Sequence, residues 1–319
     1  MLHRVAETRP AAFSPNGYLT VSPRFLDKLL LRLKHRGFEF VSMDELLNRL
    51  RSYRPRRWPE PILAVTLDDG YRDNLENAVP VFRRHSVPYT IYVAPGLVDG
   101  QATLWWEDLA AIIARRDRFV LKSPKGNVDF DVSTTARKNK AFDELMALLT
   151  HKVSEDEQRT IVAELAWQAG VDQEAHRASS IMNWSEIVEL SRDPLCTIGA
   201  HTLRHFALAR LDAARAMAEI DESGRIIGIE TGERPRHFAY PYGGPAAAGN
   251  REFMFAREAG FDSAVTTRHG VLYPGHVEHM HALPRISLNG NFQAMRYVDT
   301  LLSGLPTRLV NKGRSLNVA

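Results

Sequence analysis

The chain has 319 residues, 44% of them hydrophobic and 25% charged, with a formal net charge of +3. That apolar share suffices for a buried core and excludes a disordered chain, and the interleaving of 41 basic with 38 acidic residues argues against nucleic acid as a partner. The single Cys196 excludes an intrachain disulfide framework, and no run approaches the roughly 20 apolar residues of a membrane span.

Residues 1–20 lack the apolar core of a signal peptide, so the chain as it stands is expected in the cytoplasm. Residues 23–34 carry Phe25, Leu26, Leu29, Leu30 and Leu33 at helical spacing, with Gly37 as a stop. Residues 51–57, where Arg54, Arg56 and Arg57 flank Pro55, read as a solvated surface loop. A buried strand is predicted over 62–67, a helix over 74–85 despite Pro80, and a strand over 88–93. Between 98 and 191 the pattern changes: Trp105 and Trp106 open a helix, 119–132 reads as a hairpin turning at Lys125, Gly126 and Asn127, and 135–169 is largely helical. A strand over 196–200, a helix over 211–227, a strand over 238–242, a helix over 251–259 stopped by Gly260, and a strand over 264–267 complete the alternation. Repeated βα units favour a parallel sheet or barrel with active residues at the carboxyl ends of its strands. Residues 98–191 then read as a helical insertion on the rim of a single domain spanning 1–319.

Two motifs close β-rich apolar runs. Thr66-Leu67-Asp68-Asp69-Gly70 puts adjacent carboxylates at a strand's end, where alternation sends them in different directions, so that one can ligate a cation while the other stays free as a base. His201-Thr202-Leu203-Arg204-His205 sets two imidazoles four apart, the spacing of one face of a helical turn that a single divalent ion can bridge. Either motif alone is an ordinary strand-to-turn junction or a solvated pair. Together they suggest a metal site shared on one rim of a sheet. Trp105, Trp106 and Trp184 offer faces for sugar rings, but tryptophans at a helix start more often anchor packing.

These stretches resemble the polysaccharide deacetylases of carbohydrate esterase family 4. Residues 66–70 are similar to the family's first motif and 200–205 to its second; Phe238-Ala239-Tyr240-Pro241-Tyr242-Gly243 is similar to its third, and Leu283-Pro284-Arg285-Ile286 stands where its last falls. Upstream, Val21-Ser22-Pro23 and 25–46 look like the helix and strand that often precede the first motif. The resemblance implies an α/β fold, a distorted (β/α) barrel of about seven parallel strands. It also implies a divalent metal held by Asp69, His201 and His205, zinc first with cobalt or nickel open. Asp68 would be the base, the Tyr242 backbone N–H an oxyanion donor, and Tyr240, Pro241, Tyr242 and Leu283 the substrate contacts. Family members of this type often begin with a strand ending in His-Arg-Val like His3-Arg4-Val5, which leaves open where the natural chain starts.

Two positions depart from the pattern. Ala239 stands where the family carries an arginine that orients the base, and Arg285 is the candidate to supply that charge from the last strand. No histidine follows Leu283; among His276, His279 and His281, the nearest, His281, is the candidate general acid. The favoured function is metal-dependent removal of N-acetyl, or O-acetyl, groups from an N-acetylated carbohydrate: a polysaccharide, oligosaccharide or glycan precursor. A sugar-binding protein that has lost turnover and a hydrolase of a non-sugar cyclic amide are the alternatives.

Overall fold

A computed structural model describes residues 1–7, 11–52, 61–122 and 126–318. The basic run Arg54 to Arg57 and Lys125 of the predicted hairpin turn lie outside these residues.

Six parallel strands form one sheet: β1 (Val65–Leu67), β2 (Tyr89–Val93), β3 (Cys196–Ala200), β4 (His237–Ala239), β5 (Ser263–His269) and β6 (Leu283–Arg285). Each pairs with its neighbours in chain order, and the sheet curls into a half-barrel. Parallel strands covered on both faces lose the alternation of a half-exposed sheet, and all five residues of β2 are buried. The predicted fold class stands with six strands rather than about seven. Between the sheet's edges, Leu2 makes a single parallel bridge to Leu67, and Leu288 N–H donates to the Met1 carbonyl at 3.0 Å.

The apolar run 62–67 changes partner at Ala64. Ile62–Leu63 pairs with Glu39–Phe40 in a separate two-stranded sheet, and only Val65–Leu67 joins the barrel. The predicted helix at 74–85 begins as a wide π-turn, Asn74–Ala78, before the α-helix Val79–His85. Pro80 sits where the π-turn passes into the α-helix, so its missing N–H falls at the irregular turn of a continuous helical run.

Helices cover the outer face. In Pro23–His35 the Ser22 hydroxyl accepts from Phe25 N–H, and the predicted stripe of Phe25, Leu26, Leu29, Leu30 and Leu33 is buried. Each leucine so buried contributes roughly 1.5–3 kcal/mol. The helix Ala213–Thr231 is capped by Asp212 and stopped by Gly232 at φ +85°.

Within 98–191 lie the helix Trp105–Ala114, the antiparallel hairpin Arg118–Leu121 with Val128–Asp131, and the helices Thr135–His151, Glu155–Ala169 and Gln173–Ser180. All but Gln173–Ser180 share an apolar cluster that includes Leu109, Ile113, Leu145 and Leu165. Tyr71, after β1, belongs to that cluster, and Tyr242, after β4, packs against it. This segment therefore meets the barrel at the carboxyl ends of its strands.

Candidate metal and catalytic site

The chain leaves β1 at Asp68 and turns sharply through Asp69 at φ +74° and Gly70 at φ +75°. The left-handed conformation of Asp69 swings its carboxylate away from the direction of Asp68, and Gly70 continues the turn. Asp68 faces Arg285, whose Nη1 donates to Oδ1 and Nη2 to Oδ2, both at 2.7 Å. Arg285 is further fixed by Nε–H to the Thr266 carbonyl at 2.9 Å and Nη1–H to the Thr66 hydroxyl at 3.1 Å. Burial would raise the Asp68 carboxyl, but the Arg285 guanidinium outweighs it and holds that carboxyl below its ordinary range. Arg285 thus reaches from the last strand the carboxylate that a side chain at Ala239 does not.

Asp69 faces two histidines. Its Oδ1 lies 3.3 Å from His201 Nε2 and 3.2 Å from His205 Nε2, and all three residues are buried. His201 leaves the end of β3 with its N–H on the Val93 carbonyl, and its Nδ1 donates to the Ala239 carbonyl at 2.7 Å. That bond directs the Nε2 lone pair of a neutral ring at Asp69. The two histidines do not share a helical turn as their spacing predicts. Residues 201–207 form an irregular loop with Thr202 at φ +59° and His205 at φ +58°.

Contacts from distant elements shape that loop. Leu203 N–H donates to the Glu219 carbonyl, Arg204 N–H to the Glu219 carboxylate at 2.8 Å, and Arg159 Nη2 to the His205 carbonyl at 3.2 Å. The loop also runs against Gly96, where a Cβ would fall 2.6 Å from the Leu203 carbonyl oxygen. The Trp106 ring packs 4.8 Å from that of His205, and its Nε1–H donates to the Tyr71 hydroxyl at 3.1 Å. Trp105 donates to the Tyr242 hydroxyl at 2.9 Å. Both tryptophans are buried, so they support the site's walls rather than present sugar-stacking faces.

The donor set fits a divalent cation. Asp69 Oδ1 is buried without a hydrogen-bond partner, and two imidazole nitrogens converge on it. A carboxylate oxygen and two ring lone pairs crowded together repel unless a cation or a proton lies among them. Burial would raise Asp69, but the two imidazoles hold it well below the carboxylate range.

The remaining predicted residues divide. Tyr242, at φ +60°, lies 5.1 Å from the His205 ring, and among the described residues its backbone N–H has no acceptor. Tyr240 is fully buried, its hydroxyl donating to the His281 carbonyl at 2.9 Å, and Pro241 is buried beneath the bend. Leu283 packs inside the barrel with Tyr92, Ala239 and Val265 and is 1% exposed. Tyr240 and Leu283 are core residues rather than substrate contacts.

His281 is displaced. It precedes β6, and its Nε2 bonds the Phe261 carbonyl at 2.7 Å, just before β5 begins. In parallel strands this is the amino-terminal rim, opposite to Asp69. Closeness to Leu283 along the chain does not tell one end of the strand from the other.

His3 was not among the predicted site residues. Burial pushes its imidazole down, and it feels Asp69 and Asp68 in one direction and Arg285 and His201 in the other. Its carbonyl accepts from Asn74 at 2.8 Å, which ties this segment to the turn after β1. The signal was a polar residue set between Leu2, bonded to β1, and Val5, buried in the core.

Fold and site together define a parallel α/β half-barrel carrying a carboxylate–imidazole trio and an arginine-paired carboxylate at its carboxyl rim. Residues 150–262 match the family model described as polysaccharide deacetylase, the family that the sequence motifs resemble. The fold is similar to that of a Streptococcus pyogenes deacetylase, PplD, solved in complex with acetate, at 15% identity and a TM-score of 0.61 over 94% of this chain and 96% of that one. IcaB from Ammonifex degensii is similar at 18% identity and a TM-score of 0.57, over 91% of each chain. A de-N-acetylase from Aggregatibacter actinomycetemcomitans is similar at 12% identity and a TM-score of 0.60, over 94% and 97%. No curated protein matches the chain.

Proposed function

We propose that this protein is a metal-dependent carbohydrate deacetylase that hydrolyses the acetyl amide of an N-acetylated sugar, as a single domain with a rim insertion at 98–191. The observation that carries the reading is Asp68, ionised and clamped by Arg285, beside the trio Asp69, His201 and His205. Held by that trio, a divalent cation, zinc before cobalt or nickel, would supply Lewis acidity toward the acetyl carbonyl and acidify a water. Asp68 accepts the proton from the attacking water, and Arg285 keeps its two oxygens in line. The Tyr242 N–H donates to the oxygen that becomes negative as the carbonyl carbon turns tetrahedral. Asp68 then passes that proton to the departing nitrogen, so the proton taken from the water is the one the amine requires. Acetate and a free amine result.

The test is acetate release from a panel of N-acetylated oligosaccharides by zinc-loaded protein, with an O-acetylated sugar and a cyclic amide included. Release from the amino sugars supports the reading. Turnover of the cyclic amide alone, or sugar binding without acetate, overturns it.

A further inference from the structure

We propose that the helix Leu305–Val310 and the segment after it form a docking surface for an anionic lipid membrane. Leu305, Leu309 and Val310 are 57%, 72% and 67% exposed; Leu305 and Leu309, four apart, share one side of the helix, and Val310 lies about 100° round from Leu309. Three large aliphatic side chains standing together in water mark a surface that something covers.

The charge around them says what. Arg308, Lys312 and Arg314 are all exposed, and among the described residues none takes part in an ion pair. No Asp or Glu occurs from 300 to 319. Asp299, the last acid in the chain, is held by Arg32 and Arg36. A second copy meeting this patch by two-fold symmetry would bring six cations together with no acid between them. Exposed aliphatics ringed by unpaired cations instead match the boundary between acyl chains and anionic headgroups.

The patch is anchored to the rim of the site. Thr307 lies against Gly270, just beyond the carboxyl end of β5, and the Asn317 amide donates to the His269 carbonyl at 3.2 Å. Because all six strands are parallel, this is the rim from which Asp69 and His201 emerge. A membrane seated here lies beside the mouth of the site.

The experiment needs no turnover. The full chain is sedimented with vesicles of phosphatidylcholine alone and with vesicles containing phosphatidylglycerol, at low and high salt. Wild-type protein should pellet with the anionic vesicles at low salt, and salt should release it. Leu309→Glu and the double variant Arg308→Glu with Lys312→Glu should each weaken that binding by at least about tenfold. Unchanged melting in the absence of lipid shows that the variants are folded. Leu305→Ser serves if Leu309→Glu does not fold. Wild-type protein left in the supernatant, binding that ignores lipid charge, or binding unchanged in both variants overturns the proposal. So does a dimer in lipid-free solution that Leu309→Glu dissociates, because the patch would then be a contact between copies.

Discussion

Asp68 and Asp69 are neighbours in sequence and face different partners, because one left-handed residue separates their directions. Asp68 lies on a guanidinium and Asp69 between two imidazoles, so substitutions at the two are expected to separate cleanly. In Asp68→Asn the amide cannot take a proton from water; stoichiometric metal should remain while the rate falls by about 10²–10⁴. If Asp69, His201 and His205 hold a metal as proposed, His201→Ala or His205→Ala removes one of three ligands, and metal and activity should disappear together. Elemental analysis beside an acetate assay reads both, and full metal occupancy in both histidine variants would remove the site. Arg285 holds Asp68 in its ionised form, so Arg285→Ala should raise that carboxyl's pKa and move the acidic limb of the pH–rate profile to higher pH, with a lower plateau. The same pair stabilises the fold above the ordinary carboxylate pKa of about 3.9, and that contribution is lost as pH falls through the depressed folded value. Arg285→Ala leaves a buried carboxylate unpaired, which costs about 3–5 kcal/mol. A chemical melt measures that cost separately from the pH profile.

At the scale of elements, the His201–His205 loop is held by groups that no local pattern announces. Its carbonyls and N–H groups are met by Glu219, Arg159 and Gly96, all far away in sequence. Gly96→Ala should therefore act on the metal site from outside it. The added methyl meets the Leu203 carbonyl, the loop shifts, and zinc affinity should fall by roughly tenfold, or about 1.4 kcal/mol, with smaller loss of stability. Calorimetric zinc titration of the variant checks this, and unchanged affinity would show that the loop is held without Gly96. The helices that hydrophobic spacing predicted stand where expected, since the stripe of Pro23–His35 and the caps at Ser22 and Asp212 act within one or two turns. The strand predicted over 62–67 divides because hydrogen-bond partners belong to other strands, and apolar character carries no record of them.

For the molecule as a whole, the trio joins the ends of two strands that are 132 residues apart in the chain, the distance from Asp69 to His201. A cation bound to all three stabilises the folded chain alone, by about 2.7 kcal/mol at a hundredfold excess over its dissociation constant. Chelation should lower the melting temperature of the wild type and leave that of His201→Ala unmoved; equal shifts would mean that the ion binds elsewhere. The alternation of strands and helices and the two motifs at strand ends were legible in the sequence, because each is set by residues close together along the chain. Three things were not. The sequence named Arg285 as a candidate, but only the curl of the sheet brings β6 across to Asp68. It offered three histidines before Leu283, but only strand direction shows that His281 lies at the opposite rim. It held His3 as the end of a strand, and only the pairing of Leu2 with Leu67 sets that residue beside the strand that ends in the two carboxylates. Local spacing governs hydrogen bonds and burial within a helix or strand, whereas the meeting of side chains from different strands depends on register and curvature, which arise only when the whole sheet is assembled.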